Sequence, residues 1–271
     1  MKIIIFGADG MLGTYLNNYL SKFYKVIALT RINYDINNLT IASLDNLFNN
    51  YNIKPSDVII NSAGIIPQCK NNNISLYYLI NSIFPILLKH LSDKYKTKMI
   101  HITTDCVFSG MIGNYNENDK KDEINDYGSS KTLGELCNCC IIRTSIIGEQ
   151  IKNKYSLLEW VKSHNNQNLK GFANHFWNGV TCLQLAKIIN KIINENLFWN
   201  GVRHIYSPNI VSKYELVHLI NNTYKLNNNI EKYNTENTIN KTLKTIYNTN
   251  SLFDIPDLKV QIEELYNYKL I

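Results

Sequence analysis

A parallel α/β sheet flanked by helices, with a small mixed lobe towards the carboxyl terminus, is the fold class this sequence predicts. Three observations carry it. The continuous apolar runs Ile3-Ile4-Ile5-Phe6, Val58-Ile59-Ile60 and Met99-Ile100-His101-Ile102 have the character of strands buried on both faces. Helical periodicity alternates with them, as in Leu12, Leu16, Tyr19 and Leu20 after the first run. Gly7, Gly10 and Gly13 mark the change from the first strand to the first helix, the point at which a Rossmann-type fold makes its first turn.

In that strand–turn–helix setting each glycine has a task. Gly7 allows the tight turn, Gly10 lets the backbone approach a pyrophosphate, and Gly13 lets the helix pack close to the strand. The amides of Asp9, Gly10, Met11 and Leu12 at the helix start then face the phosphates. A surface turn with strain-relieving glycines is the plainer alternative. The G-x-x-G-x-x-G spacing directly after an apolar strand is more specific than that, although it differs by one residue from G-x-G-x-x-G.

Length and composition set the limits. The 271 residues suffice for a full α/β core and one modest second lobe. We expect residues 1–148 to be mainly the dinucleotide-binding domain and 149–271 mainly the substrate lobe, with return segments to the first domain allowed. The 28 Lys and Arg against 22 Asp and Glu give a charge of +6 that is spread along the chain, which suits an anionic substrate better than nucleic acid. Of six cysteines, Cys137, Cys139 and Cys140 crowd one segment without paired C-x-x-C knuckles, so small buried side chains are expected and no metal. No signal core precedes the first strand, and no stretch reads as long and apolar enough to cross a bilayer; a reducing, cytoplasmic setting is expected. The runs Asn71-Asn72-Asn73 and Asn227-Asn228-Asn229 read as turns.

Further along, Lys25-Val26-Ile27-Ala28-Leu29 reads as the second strand, ending at Thr30 and Arg31. An acidic residue near this position would accept from an adenosine ribose. The guanidinium of Arg31 instead matches a 2′-phosphate, which favours NADPH/NADP+ over NAD, unless Arg31 is simply a solvated loop residue. After Val58-Ile59-Ile60 the small residues Asn61-Ser62-Ala63-Gly64 let backbone lie close to a flat ligand. Met99–Ile102 delivers Thr103-Thr104-Asp105-Cys106-Val107-Phe108 to the carboxyl edge of the sheet, where ligands of open α/β folds collect. A polar, flexible-looking excursion runs from Gly113 to Asp126.

Then comes Tyr127-Gly128-Ser129-Ser130-Lys131. Tyr127 and Lys131 stand four residues apart, on one face of a helix. A tyrosine is a poor acid–base group at neutral pH, and a nearby ammonium favours its charged form. Y-x-x-x-K alone is common on solvated helices. It gains meaning beside the glycine turn and the strand-borne Thr104.

GADGMLG, TTDCVFSG, YGSSKTLGE and IIRTSIIG, in this order, resemble the dTDP-4-dehydrorhamnose reductase family, within the extended short-chain dehydrogenase/reductases. The likeness continues more weakly through NGVTCLQLAKII and GVRHIYS. It implies that Thr104 orients a substrate carbonyl, Tyr127 donates the proton, and Lys131 lowers the tyrosine pKa while holding the cofactor ribose. It also implies that Asp35 and Ile36 border the adenine and that Ala63 and Gly64 line the nicotinamide half. Thr104, Asp105, Cys106 and Phe108 would contact a nucleotide-linked deoxy-keto sugar, with a homodimer as the candidate assembly. Asn81 matches the family's helix asparagine, with helix stabilisation or backbone bonding as its expected task. The chain departs from the family where Cys106 replaces a tyrosine and Ile146 a tryptophan, and where the interval from Glu135 to Arg143 is short. Nucleotide-sugar epimerisation or dehydration, and a non-catalytic NADP-binding regulatory subunit, are the competing functions.

The remaining lobe reads as a helix around Leu157, Leu158, Trp160 and Val161, then an aromatic loop from Gly171 to Gly179. Asn174 and Trp177 in that loop are candidates for the substrate base, or for closing the cleft. Leu183 to Ile192 is strongly apolar and helical. Ser212 and Glu215 form a capping box, and a terminal helix packs Leu258, Val260, Ile262 and Leu265.

Overall fold

The computed structural model describes residues 1–68, 73–152 and 154–270, so the Asn71-Asn72 part of the expected turn lies outside the described residues. In chain order the elements of the first half are β1 (Lys2–Phe6), α1 (Met11–Leu20), β2 (Lys25–Leu29), α2 (Ile41–Asn50), β3 (Val58–Asn61), α3 (Ile74–Lys94), β4 (Lys98–Thr104), α4 (Asp126–Gly134) and β5 (Cys140–Thr144). There follow β6 (Ile146–Ile147), α5 (Leu157–Ser163), β7 (Asn168–Phe172), β8 (His175–Trp177), β9 (Val180–Thr181), α6 (Cys182–Asn194), β10 (Gly201–His204), β11 (Val211–Ser212), α7 (Lys213–Thr223), β12 (Asn229–Tyr233), β13 (Ile239–Asn240), α8 (Thr249–Phe253) and α9 (Leu258–Asn267).

Six strands form the main sheet in the order β10-β5-β4-β3-β1-β2, and every pair in it is parallel. The order reverses between β1 and β3. A crevice opens outside the carboxyl ends of strands at such a switch point. Side chains alternate along β1, so Ile3 and Ile5 pack with Leu16 and α6 on one face while Ile4 and Phe6 pack with α2 and α3 on the other. That two-sided burial explains the unbroken apolar run of β1. The sheet also draws on the second half of the chain, since β10 adds beside β5.

Four expectations need correction. The Gly171–Gly179 stretch is not a loop: β7 pairs with β12, and β8 pairs with both β11 and β13. A side chain at Gly171 would sit 2.8 Å from the backbone of Tyr214, so the strand lies directly against α7. The polar excursion before α4 is tethered rather than free, because Tyr115 N–H donates to the Thr242 carbonyl and Glu117 accepts from His204 N–H, Thr245 Oγ1–H and Ile246 N–H. Val260 in α9 is 43% exposed, while Leu258, Ile262 and Leu265 pack inward. Finally, Ile74–Lys94 is 21 residues with mean hydropathy 1.3, long and apolar enough to span a bilayer on length and composition. Here Phe84, Leu88 and Leu91 of that helix are buried against the sheet instead.

Candidate active site

Backbone geometry builds the first half of the site. Gly7 takes φ +76°, which favours glycine, and a Cβ there would lie 2.7 Å from the backbone of Ala63 at the end of β3. At Gly13 a Cβ would lie 2.0 Å from the Gly7 carbonyl oxygen. Gly10 is looser, 3.2 Å from the same atom, and is exposed. It precedes α1 without any side-chain cap, so the first amides of that helix stay unclaimed by side chains. A phosphate would find a glycine-floored cradle of N–H donors there. Leu12 turns its side chain into the core and Met11 is half-buried, which leaves their amides for that role. Asp9 is exposed and pairs with Lys152 at 3.2 Å.

The flanks of this cradle hold the other nucleotide candidates. Arg31 stands just past β2, exposed, with no hydrogen bond or ion pair among the described residues. Asp35 caps a short 3-10 turn by accepting from Asn37 N–H at 3.0 Å, and Ile36 packs beside it. On the β3 side, Ala63 N–H donates to Asn61 Oδ1, and Ser62 donates to the Phe6 carbonyl. Asn81 lies on a π-helical turn of α3, Leu79–Ile83. Its amide bonds both backbone groups of Ile65 and donates to Ser130 Oγ, so it fixes the Gly64 loop against α4 as its expected backbone-bonding task requires.

The reacting groups converge from β4 and α4. Thr104 Oγ1 donates to Asp105 Oδ1 at 3.1 Å and accepts from Cys106 N–H at 3.1 Å. The Tyr127 hydroxyl lies close to the same oxygen, and that neighbour favours the charged form of the tyrosine. Burial pushes Tyr127 well above the usual tyrosine range, and the neighbouring Cys106 thiol adds to this. Lys131, 6% exposed, is pushed down to about 8 by burial. Its Nζ would be 2.7 Å from a Cβ on Gly64, so the ammonium lies close against the backbone of that loop. Burial therefore overrides the expected drop in the Tyr127 pKa.

On the substrate side the structure keeps some candidates and removes others. Asp105 is buried, with its carboxyl raised by burial and pulled back by Lys213 and Lys241. Cys106 lies beside it, its thiol pushed up to about 12 by burial. Phe108 is fully buried, stacked on Tyr115 at 4.2 Å and under the Arg143 guanidinium, so it cannot touch substrate. Trp177 is 4% exposed and packs in the core. Both ends of the Asn174 amide are engaged by Thr235, with a further contact to Asn237, and leave nothing for a base.

Two lysines beside Asp105 escape the sequence reading. Lys213 opens α7 with its Nζ 5.0 Å over the Trp177 ring, without a hydrogen bond or ion pair among the described residues. Lys241 pairs with Glu123 at 3.2 Å and faces Cys106 and Asp105. No local pattern marks either lysine; only tertiary folding brings them to Asp105. The short Glu135–Arg143 interval has a structural account. A 3-10 turn and left-handed Asn138, φ +44°, return the chain so that Arg143 holds Glu135 with two hydrogen bonds. Cys137, Cys139 and Cys140 are buried in this turn and strand, as expected.

The family described as RmlD substrate binding domain matches residues 1–255. The chain belongs to that family. The spore coat polysaccharide biosynthesis protein SpsK of Bacillus subtilis is 28% identical over 256 residues, covering 91% of this chain and 87% of that protein. A dTDP-4-dehydrorhamnose reductase of Mycobacterium tuberculosis is 28% identical over 141 residues, 49% of this chain and 44% of that one. Among solved structures, the dTDP-4-dehydrorhamnose reductase of Bacillus anthracis in complex with NADP has TM-score 0.84 at 22% identity, covering 98% of both chains. The Clostridium acetobutylicum reductase has TM-score 0.81 at 23% identity over 98% of this chain and 99% of that one. These likenesses establish the Rossmann-type fold.

Proposed function

We propose that this RmlD-family chain is an NADPH-dependent oxidoreductase that reduces the C4 ketone of a nucleotide-linked 4-keto-6-deoxy sugar. Our favoured substrate is dTDP- or UDP-4-dehydro-L-rhamnose, giving the corresponding rhamnose nucleotide. The nearness of the Tyr127 hydroxyl to Thr104, with Lys131 against the Gly64 loop, carries this reading. The names of the reductase relatives and their NADP complex support it.

The residues present fit the cofactor. A phosphate cradle that a Cβ would fill at Gly7 and Gly13, a free guanidinium at Arg31 and an unspent ammonium at Lys131 line one route along the crevice. Asp35 and Ile36 would border the adenine, and Ala63 and Gly64 the nicotinamide half. When bound, NADPH supplies the hydride; positioning and the proton fall to the chain. The ketone oxygen takes its hydrogen bonds from the Tyr127 O–H and from the Thr104 hydroxyl, which turns its one proton from Asp105 Oδ1 to the substrate. Burial keeps the proton on Tyr127 until negative charge develops on that oxygen, and Lys131 then offsets the phenolate left behind.

Loss of the Lys131 proton as pH rises through about 8 removes that offset, so kcat/KM falls on this basic limb. The function itself is tested with a panel of dTDP-, UDP- and GDP-linked 4-keto-6-deoxy sugars, following NADPH oxidation and identifying products by NMR. One efficient substrate reduced at C4 is expected. Epimerisation without net reduction, or no turnover by a protein that binds NADPH, would overturn the proposal.

A further inference from the structure

Strand β4 carries a polar row into the interior beneath Lys131. Alternation puts His101 and Thr103 on one face, and register sets them beside Asn61 and Arg143. Both are almost fully buried, at 1% and 4% exposure. The ring proton of His101 is fixed by a chain of donors. Ala63 N–H can only donate, so it faces Asn61 Oδ1, at 3.1 Å. The other end of that amide, Nδ2, is then the group 3.1 Å from His101 Nδ1. An amide NH2 only donates, so Nδ1 accepts and the imidazole proton resides on Nε2.

Among the described residues that Nε2–H has no acceptor, and the Thr103 hydroxyl on the same face has no partner. Lys131 approaches from α4. Its ammonium field helps keep His101 neutral, and it makes no hydrogen bond to the described residues. Three buried polar groups with unspent hydrogen-bonding capacity are thus carried on β4 and α4, with Lys131 near enough for its charge to act on His101. Direct pairing of His101 with Lys131 fails because both donate. A third body that accepts from both, and also donates to a hydroxyl, resolves all three; water has that capacity, and buried polar sites of this kind hold one.

We propose that His101 and Thr103 hold an internal water that accepts one N–H of the Lys131 ammonium, making His101 a positioning residue for that lysine. The other two N–H groups remain for the cofactor ribose, so the catalytic meaning rests on the function proposed above. The water site does not. The titratable groups that bear on Lys131 are Glu135 beyond α4, Tyr127 one turn before it on α4, Cys106 from the turn after β4 and His101 from β4, while the β3 loop and α3 bring neutral Gly64 and Asn81 to it. Glu135 is already committed to Arg143 and Lys121.

Ligand-free protein labelled with 13C at lysine Cε allows Lys131 to be titrated by NMR, its signal assigned by its absence in Lys131→Met. In His101→Leu the ammonium loses its acceptor, and the midpoint should fall by about one pH unit. His101→Gln, which returns an amide N–H near the ring Nε2 position, should restore it to within about 0.3 unit, as a purely steric role would not. Thr103→Val, which keeps the shape, should move the midpoint the same way and serves if the leucine variant fails to fold. Midpoints unchanged in Thr103→Val and in the folded His101 variants overturn the water site. Normal midpoint shifts in a protein that turns over no keto sugar would instead leave the site standing and refute the catalytic reading.

Discussion

At the nucleotide end of the site, Gly7, Gly10 and Gly13 lie within one strand–turn–helix, and what they supply is backbone brought close to backbone. At the substrate end, Asp105 follows β4 while the lysines that face it come from the start of α7 and from just after β13. The first end is local in sequence and has no room for added atoms at Gly7 and Gly13. The second is assembled by tertiary folding and depends on charge held in partial burial. Substitutions should therefore fail differently at the two ends, by sterics in one and by lost recognition in the other.

The largest effect is expected at Gly13. A valine there would drive its Cβ into the Gly7 carbonyl, backbone against backbone, and overpacking that no rotamer relieves costs about 1–3 kcal/mol or more. Gly13→Val should lose measurable NADPH binding in a calorimetric titration and melt at a lower temperature. Gly10→Ala is the contrasting case: its Cβ would meet the Gly7 oxygen at 3.2 Å, so the fold should survive while phosphate approach suffers. An unaltered NADPH affinity in Gly10→Ala would mean that the cradle does not hold the pyrophosphate.

Next in size is Tyr127→Phe, expected to slow turnover by about 10²-fold or more, the scale of a positioned proton donor. NADPH affinity should stay near that of the unaltered protein, because the hydroxyl belongs to the substrate side. Normal single-turnover hydride transfer in this variant would remove Tyr127 as the proton donor.

The same contrast explains what could be read from sequence. β1, the glycine turn and the Tyr127–Lys131 spacing are written in consecutive residues, so the fold class and the place of these residues on it were legible. Phe108 and Trp177 were misjudged because aromatic residues near a ligand edge look alike whether they face the crevice or, as here, the core. Asn174 was misjudged because its partners, Thr235 and Asn237, lie on a segment with no visible link to it in sequence. Lys213 was invisible for the same reason. Its position depends on β11 pairing with β8, which brings the start of α7 over Trp177.

Lys213→Met tests whether that assembled end recognises substrate. Methionine keeps much of the length and the contact with Trp177 but removes the ammonium. A charge-assisted hydrogen bond is worth about 1.5–3 kcal/mol, so KM for the keto sugar should rise by about 10-fold or more. NADPH affinity should not move. A rise in NADPH Kd with an unchanged sugar KM would place Lys213 on the cofactor instead.

The smallest expected effect is at Arg31, and it returns the comparison to the nucleotide end, because here that end too relies on a side chain. Arg31 is exposed past β2 and has no partner among the described residues, so its guanidinium is free to pair with a 2′-phosphate. Exposure also limits its contribution, since water and salt screen a surface pair to about 0–1 kcal/mol. Arg31→Ala should accordingly reduce the preference for NADPH over NADH by about five-fold at low ionic strength. It should do so by weakening NADPH while leaving NADH unchanged, and the difference should shrink as salt is added. Equal affinities for the two cofactors in the unaltered protein would take Arg31 out of the specificity assignment and leave recognition at that end to groups that would meet only what NADPH and NADH share.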